Sequence, residues 1–403
     1  MDECSLYARV LGLIDPWFVE DVRFDEDDSS VVVHVGLDED IQLSCPKCQQ
    51  PSPGYDKRPR RWRHLDTCQF KTFVTADVPR VECVHHGCLT ISVPWAEDRS
   101  RFTWLFEALV IDWLQESTVS AVQRRLSMSW SAVDGIMQRS VARGLKRRRR
   151  RSLKQICVDE TSFQKRHEYV TVVSTQEGQV LYVADGKGKE SLRPFYEGLS
   201  AKQLSSIESV SMDLSAAYIQ TTLEELPNAD QKIAFDKFHI AQSLTQAVDR
   251  VRRRERLTTR ELGKSRYLWM KNGKSLGSEE KHHLNALKRV AQQTGRAWSI
   301  KEMAMSLWNY SSRGWALKAW KRWYAWAIRS RLPEMKIAAR SIKDNLWGII
   351  NAIVLNADNG QAESVNSKIK MLKIKARGFR NRERFKTAIM FHCGGLNLYP
   401  NPL

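Results

Sequence analysis

The spacing of the cysteines constrains the fold of this chain more than any other feature. Five of the eight cysteines lie within residues 45–88, and four of these form two groups. The first group, CPKC, has the two-residue gap between Cys45 and Cys48 that lets two thiolates bind one tetrahedral ion from a tight turn. In the second group, RVECVHHGC, the first possible ligand is Cys83. This group lies among short strand-like runs with Pro and Gly at the bends. We therefore predict an N-terminal zinc ribbon that holds one structural Zn2+.

The spacing alone leaves the fourth ligand open. Cys83 could pair with His86, with Cys88 or with His85. Cys68 lies between the two groups without a close partner, so we expect it to be a buried thiol. The alternative for the whole set is a group of reduced, buried cysteines that bind no metal.

The chain carries a strong positive charge. Its 403 residues include 64 Lys and Arg against 46 Asp and Glu, a net charge of +18. This excess indicates a polyanionic partner, most simply nucleic acid, although a solvated basic surface would have the same composition. Residues 1–41 show no signal-peptide pattern, and we find no apolar run of about 18 residues. We expect a cytoplasmic, nucleoid-associated protein without a membrane partner.

Three segments of the first half favour contact with DNA. The run RPRRWRHLD interleaves basic and aromatic residues, which suits phosphate contact and stacking, although a solvated strand face is the alternative. Residues 117–137 fit a helix-turn-helix with SMS as its turn, a pattern that a plain pair of core helices shares. The basic run at residues 146–151 follows as a linker or arm. The residues expected to contact DNA here are Arg60, Arg61, Trp62, Arg63, Ser129, Trp130, Arg147, Arg148, Arg149, Arg150 and Arg151.

Two aspartates mark strand-like runs in the middle of the chain. Residues 156 to about 240 alternate strand-like and helical runs, which is an α/β order. The run ICVDETSF places Asp159 at or near a strand end, and SIESVSMDLSAAY ends its strand in the same way with Asp213. If the strands are neighbours, these carboxylates and a third acid on a late helix can hold divalent cations. A single aspartate at a strand end, however, is most often a turn former.

After Phe238 the chain is predicted to be helical almost to its end, with a Trp-rich section between Trp269 and Trp326. Six tryptophans of this section could stack on flipped or single-stranded bases. We expect most of them in a core instead, because tryptophan buries a large area. They are Trp298, Trp308, Trp315, Trp320, Trp323 and Trp326.

Taken in order, several motifs resemble the ISL3 family of bacterial insertion-sequence transposases. The resemblance is carried by CPKC, RRWRHLDTCQF, VPRVEC, VDETSF, SMDLSAAY, FDKFHI and NADNGQAESVNSKIKMLKIKARGFRN, and it covers nearly the whole chain. It implies a ribonuclease-H-like DDE catalytic domain with the triad Asp159, Asp213 and Glu363, which would bind two Mg2+ or Mn2+ ions. The family's second knuckle reads Cys, two residues, His and Gly. This resemblance favours His86 as the fourth zinc ligand, with Cys88 as the alternative.

The residues around Glu363 support the third acid. Asn366 and Lys370 follow it at helical spacings, so that an acid, an amide and a cation share one helix face. The alternative is a glutamate that only faces solvent. We also expect Lys368 and Lys370 to contact DNA. From Asp213 to Glu363 is 150 residues, which requires an inserted all-α domain between them.

Asp236 and His239, in FDKFHI, form a D-x2-H pair like that near the site of related transposases. We expect these two residues and Asn366 to support the site by positioning metal or DNA. A strand-end aspartate and a histidine at a helix start are the alternative reading.

The expected organisation is multidomain α/β in five segments. A zinc-binding DNA-binding domain covers residues 1–100, and the helix-turn-helix with its basic linker covers 101–151. The catalytic domain begins at 152–250, is interrupted by a helical insertion at 251–345, and ends with the helices of 346–403.

The expected function is a DNA transposase that acts as a homodimer on DNA. It would bind the terminal inverted repeats of its insertion sequence, then cleave and join strands with divalent metal. Two alternatives share the same modules: a ribonuclease-H-like DNA nuclease or resolvase, and a non-catalytic repressor. Strand transfer on DNA that carries the element's own ends separates the three.

Overall fold

The computed structural model of the chain contains two compact units, each with its own hydrophobic core. It describes residues 2–148, 153–164, 168–357 and 359–400. The first unit contains residues 2–148 together with residues 396–400, and the second contains the described residues between 153 and 395. No helix in these described ranges is long and apolar enough to cross a membrane.

A five-stranded sheet forms the base of the first unit. Its strands are β1 (Trp17–Asp25), β2 (Ser30–Leu37), β3 (Gly54–Thr67), β4 (Phe70–Cys83) and β5 (Gly87–Thr90), and helix α1 (Glu3–Val10) precedes them. The order is β1-β2-β4-β3, with β5 paired to β4, and only β2 and β4 are parallel. Alternate residues of β4 are buried, as the two-residue period of a strand requires. Trp95 meets Trp17 and Trp62 edge to face in the core.

Three helices complete the first unit: α2 (Trp104–Glu116), α3 (Val119–Arg125) and α4 (Trp130–Arg147). Thr103, Thr118 and Ser129 cap their N-termini, each through a side-chain oxygen that accepts a backbone N–H of the first turn. Residues 126–129 form the turn between α3 and α4. The helix-turn-helix predicted from the sequence is present.

A buried ion cluster joins α2, α4 and the end of the chain. The Glu107 carboxylate accepts hydrogen bonds from Ser100 Oγ at 3.0 Å and from Arg143 Nη2 at 3.0 Å, and it also pairs with Arg139. Arg143 donates to the Leu398 carbonyl at 2.8 Å. Residues 396–400 therefore pack in the first unit, whereas the sequence predicts that all of residues 346–403 belong to the catalytic domain.

The second unit contains a mixed five-stranded sheet. Its strands are β6 (Gln155–Gln164), β7 (Glu168–Thr175), β8 (Val180–Asp185), β9 (Ser209–Met212) and β10 (Ile233–Phe235). The order is β10-β9-β6-β7-β8, in which β9 pairs in parallel with both β6 and β10, while β6, β7 and β8 are antiparallel. This is the ribonuclease-H-like arrangement that the resemblance implies. Between and after these strands lie α5 (Lys189–Glu197), α6 (Ala201–Ser206), α7 (Ala216–Glu225), α8 (Ala229–Lys232) and α9 (Lys237–Glu255).

Helices make up the rest of the second unit. They are α10 (Arg266–Met270), α11 (Ser278–Val290), α12 (Gln292–Ser306), α13 (Arg313–Ile328), α14 (Pro333–Asp344), α15 (Leu346–Val354), α16 (Gly360–Lys375) and α17 (Arg382–Cys393). Trp298, Trp320 and Trp323 are buried among them, as predicted, and Trp308 packs against the same core. Trp323 Nε1 donates to the Ile300 carbonyl at 2.8 Å. Two tryptophans of α13, Trp315 and Trp326, are exposed instead.

Candidate metal centre and active site

Three cysteines and one histidine of the first unit converge on one point. The Sγ atoms of Cys48 and Cys83 lie 3.7 Å apart, and His86 Nδ1 lies 3.6 Å from Cys83 Sγ and 3.7 Å from Cys45 Sγ. All four ligand atoms lie within 4.8 Å of one another. Zinc bonds of about 2.3 Å to sulfur and about 2.1 Å to nitrogen give tetrahedral edges of about 3.6–3.8 Å. The donor set and its spacing therefore fit a tetrahedral Zn2+.

Two tight turns position these ligands. In the first turn, Gln49 donates its backbone N–H to the Cys45 carbonyl at 2.8 Å. In the second, β4 ends at Cys83 and β5 begins at Gly87. Gly87 has a φ of 66°, a left-handed conformation that glycine adopts without a steric penalty. The chain reverses there and brings His86 next to Cys83.

The environment of Cys83 favours the form that binds metal. Hydrogen bonds, first from the backbone of His85 and then from the side chain of His86, lower the pKa of the Cys83 thiol to about 6. A thiol with this pKa is largely thiolate at neutral pH, and thiolate is the ligand of zinc.

The two other cysteines of this region lie outside the cluster. Cys88 is exposed on β5, where it pairs with Glu82 of β4. Cys68 is also exposed, so the prediction that it is a buried thiol is wrong. Cys68 occupies the tight turn between β3 and β4 with a φ of 49°, and a turn at the tip of a hairpin has no core above it.

The basic residues of β3 have different environments. Arg61 is exposed and Arg60 is half-buried over the ring of Trp62. Trp62 is fully buried against Trp95, and Arg63 is only 9% exposed, with its guanidinium bonded to two backbone carbonyls. The prediction that Trp62 and Arg63 contact DNA is wrong, because core packing occupies both side chains.

The residues of the helix-turn-helix and basic run that are predicted to contact DNA differ in their exposure. Ser129 is exposed and caps α4, with its Oγ accepting the Ala132 N–H at 3.2 Å, while Trp130 is half-buried. Arg147 donates to the Tyr399 carbonyl at 2.5 Å, within the first unit, and Arg148 ends the described part of the segment. The remaining residues of the run lie outside the described residues: Arg149, Arg150 and Arg151.

Asp159 and Asp213 occupy adjacent positions in the second unit. β6 and β9 are parallel, with Val158 opposite Met212, so the next residue on each segment is an aspartate. Asp213 Oδ1 accepts the Ser215 N–H at 3.0 Å, just after β9 ends. Asp159 lies in the middle of β6 and not near its end, because β6 continues as an antiparallel pair with β7 beyond the end of β9.

The carboxylates of Asp159, Glu160 and Asp213 repel one another. Burial, followed by the charges of Glu160 and Asp213, raises the pKa of Asp159 to about 7. Burial and the charge of Asp213 also raise the pKa of Glu160, while His239 acts in the opposite direction on both. A group of oxygen donors with excess negative charge is the usual setting for a divalent cation.

Helix α16 lies against β6 through an amide contact. Asn366 Nδ2 donates to Asp159 Oδ2 at 2.8 Å and to the Glu160 carbonyl at 3.4 Å. Glu363 is exposed and precedes Asn366 by three residues, hence on the same side of the helix. In the described part of the chain, the cysteine–histidine cluster is the only group of three or more metal-ligating side chains within 4.8 Å. Asp159 on β6, Asp213 directly after β9 and Glu363 on α16 therefore do not converge to within 4.8 Å.

The lysines of α16 divide between solvent and the sheet. Lys368 and Lys370 are exposed, as a DNA-contacting role requires. Lys373 instead donates from Nζ to the Ser162 carbonyl of β6 at 2.5 Å. This second contact holds the later turns of α16 to the same strand that Asn366 contacts.

A further acid follows the last parallel strand. Asp236 comes directly after β10, is 6% exposed, and caps α9 by accepting the Phe238 N–H at 2.9 Å. His239 Nε2 lies 3.9 Å from Asp236 Oδ2. The Asp236 N–H donates to the Met212 carbonyl at 3.0 Å, so this pair adjoins the residue that precedes Asp213.

The sequence did not single out Tyr218, which lies on α7 five residues after Asp213. Its fully buried hydroxyl lies 2.8 Å from Thr171 Oγ1, and Thr171 is paired with Glu160 across β6 and β7. Burial raises the pKa of Tyr218, and the charges of Glu160, Asp213 and Asp159 raise it further. The sequence signal that could have identified Tyr218 is an aromatic residue in the first turn of the helix that follows SMDLS. Tyr218 anchors the start of α7 to the sheet beside the acids.

Comparison with known proteins decides the family. A family model described as a transposase matches residues 156–389, more than half of the chain. The chain belongs to the ISL3 family of transposases. A model of the helix-turn-helix domain of transposase family ISL3 matches residues 91–141, and a model of the zinc finger of transposases IS204, IS1001, IS1096 and IS1165 matches residues 42–88.

Two relatives extend this ISL3-family match over most of the chain. The chain is 28% identical over 432 aligned positions to the transposase for insertion sequence element IS1557 of Mycobacterium tuberculosis, covering 98% of the chain and 96% of that relative. It is 27% identical over 336 positions to the transposase for insertion sequence element IS1001 of Bordetella parapertussis, covering 81% and 82%. The predicted order of zinc ribbon, helix-turn-helix and DDE domain is confirmed. The protein is a transposase with a DNA-binding module and a catalytic module.

Proposed function

We propose that this transposase binds the terminal inverted repeats of its own insertion sequence, cleaves the DNA there with divalent metal, and joins the freed strand to target DNA. The observation that carries the proposal is the adjacent placement of Asp159 on β6 and Asp213 directly after the parallel strand β9, with α16 hydrogen-bonded to Asp159. The names of the relatives, each a transposase for an insertion sequence element, support the choice of DNA.

Asp159, Asp213 and Glu363 are the proposed ligands of two Mg2+ or Mn2+ ions. Carboxylate oxygens are the donors that these ions prefer, and a bound cation would favour the charged form of Asp159, whose pKa is raised chiefly by burial. When bound, the metal pair activates a water or a 3′-hydroxyl and stabilises the leaving oxygen of a phosphodiester. Glu363 would reach the site from α16, whose first turns the Asn366 contact holds against β6.

The remaining residues of the site have positioning roles in this proposal. Asn366 donates to Asp159 Oδ2 and the Glu160 N–H donates to Asp159 Oδ1 at 2.8 Å, so both contacts would fix the orientation of this carboxylate. Asp236 and His239 would orient the residues that directly follow β9, because the Asp236 N–H donates to the Met212 carbonyl. Lys368 and Lys370, exposed on α16, would contact the phosphates of the bound strand.

The first unit would recognise the DNA ends. Cys45, Cys48, Cys83 and His86 would hold one structural Zn2+ that fixes the turns at the end of the sheet. DNA contacts are proposed for the exposed or half-buried members of the predicted set and for the basic run: Arg60, Arg61, Ser129, Trp130 and Arg147 through Arg151. Because two ends must be brought together, we propose a homodimer on DNA.

The test is a strand-transfer assay with purified protein, Mg2+ and a labelled duplex that carries the element's own end. We expect both a cleaved end and a joined product in which the labelled strand is covalently attached to a target plasmid. Cleavage without any joined product would instead establish a nuclease or resolvase. Specific binding without cleavage would establish a repressor.

A further inference from the structure

The outward face of α13 combines large aromatic side chains with cations. Trp315 is 62% exposed and Trp326 is 38% exposed. Lys318 and Arg322 are exposed between them, and Arg329 is exposed at the C-cap. At about 100° per residue these five positions fall within an arc of about 80°, and they extend over about 21 Å of helix. We call this set the α13 face.

The opposite side of α13 is firmly packed. Trp320 and Trp323 are at most 1% exposed, and Ala316 and Ala327 are fully buried. Trp320 and Trp323 meet edge to face with 5.3 Å between ring centroids. These buried side chains anchor the helix. A large aromatic side chain that is mostly in water, as Trp315 is, indicates a surface that binds something.

The charge around the α13 face is almost entirely positive. Residues 313–344, which cover α13 and α14, contain nine Lys and Arg and two acids. One of these acids, Glu334, is already paired with Arg254 at 3.1 Å. Beside the α13 face, a depression of about 420 Å3 is lined by small residues such as Gly314 and by cations that include Lys321. An apolar protein partner would have to desolvate these cations without compensation, whereas a polyanion neutralises them.

The α13 face is long enough for several nucleotides of one strand. At the rise of about 3.4 Å per nucleotide of a stacked strand, about 21 Å spans about six nucleotides. Aromatic side chains bind bases through their faces, which only unpaired bases expose. We propose that the α13 face binds single-stranded or unpaired DNA, with Trp315 and Trp326 stacking on bases and Lys318, Arg322 and Arg329 contacting phosphates. This inference rests on the proposed function only in taking DNA as the polyanion.

The test measures binding of the full chain to a fluorescent oligodeoxythymidylate of about 20 nucleotides. We expect Trp315→Ala and Trp326→Ala each to weaken binding about 5- to 150-fold, because one stacked base is lost. Trp315→Phe should keep most of the affinity and Trp315→Leu should not, since only the aromatic ring can stack. Replacing Lys318, Arg322 and Arg329 with Gln together should lower the slope of log affinity against log salt by about two units, at about 0.7 per phosphate.

Tyr267→Ala is the matched control, because Tyr267 is 76% exposed on α10 of the same unit but lies off the α13 face. It should bind like the wild type. Unchanged binding in both tryptophan variants, or an equal loss in Tyr267→Ala, would overturn the proposal. So would a tryptophan variant that changes the oligomeric state in light scattering while still binding the oligonucleotide normally. The assay needs no cleavage, so an inactive but DNA-binding chain would refute the proposed function and leave this inference standing.

Discussion

At the scale of single residues, His64 is held in its uncharged form by burial. Its side chain is 2% exposed, and Nδ1 lies 2.9 Å from Thr103 Oγ1. Burial, with a smaller contribution from the charge of Arg63, lowers the pKa of His64 to about 4. In the unfolded chain the His64 imidazole binds a proton near pH 6.5. The stabilising contribution of the buried, neutral imidazole is therefore complete above pH 6.5 and is lost as the pH falls toward 4.

The prediction is a difference in pH dependence between the wild type and His64→Gln. Between pH 7 and pH 5 the free energy of unfolding of the wild type should fall by about 2 kcal/mol more than that of the variant. Urea titrations of both proteins at the two pH values measure it, and protonation of the metal ligands affects both equally. An identical fall in the two proteins would show that His64 titrates normally.

Asn366 is the second residue with a testable role, because it contacts a proposed catalytic acid. Its amide contacts Asp159 directly, and loss of such a positioning contact typically costs about 10- to 100-fold in activity. Asn366→Ala should therefore lower the single-turnover rate of DNA cleavage by about that factor while end binding stays unchanged. Ser367→Ala, an exposed neighbour on α16, is the control. A wild-type rate for Asn366→Ala would remove Asn366 from the site.

At the scale of elements, the zinc ribbon depends on two turns and not on the number of cysteines. Cys45→Ser should reduce zinc from about one ion per chain to a small fraction, because it removes one of four ligands. Cys88→Ser and Cys68→Ser are matched controls on exposed cysteines and should retain the metal. Metal analysis of protein purified without chelator measures all three. Full zinc in Cys45→Ser, or loss of zinc in Cys88→Ser, would contradict the proposed ligand set.

Local patterns predicted the elements better than they predicted which faces are covered. The knuckle spacing around Cys45 and the strand-like runs before Asp159 and Asp213 depend on neighbouring residues, and the structure contains the corresponding elements. The burial of Trp62 depends on Trp95, which lies far away in the sequence. The exposure of Cys68 depends on its position at a hairpin tip, where nothing covers it. Burial of this kind is set by tertiary packing, which no local pattern records.

At the scale of the whole molecule, the long connection between Asp213 and Glu363 is informative. A separation of 150 residues predicts an insertion, and after strand β10 helices fill the connection in the described residues. No sequence pattern indicated that residues 396–400 pack in the first unit. That packing depends on hydrogen bonds from Arg143 and Arg147 to the Leu398 and Tyr399 carbonyls. The direct contact of Asn366 with Asp159 was likewise invisible, since the two residues are 207 positions apart.

The central claim is that Asp159, Asp213 and Glu363 carry out metal-dependent DNA cleavage. The most direct measurement is the Mg2+-dependent cleavage rate at the element's end for Asp159→Asn, Asp213→Asn and Glu363→Gln, with Glu208→Gln as a control on an exposed acid of the same unit. Each triad variant should lose about a thousandfold or more in rate, and the losses should not add in double variants. End binding should persist, since removing a negative charge cannot weaken attraction to phosphate. A triad variant that folds, binds the end and cleaves at the wild-type rate would contradict the claim for that residue.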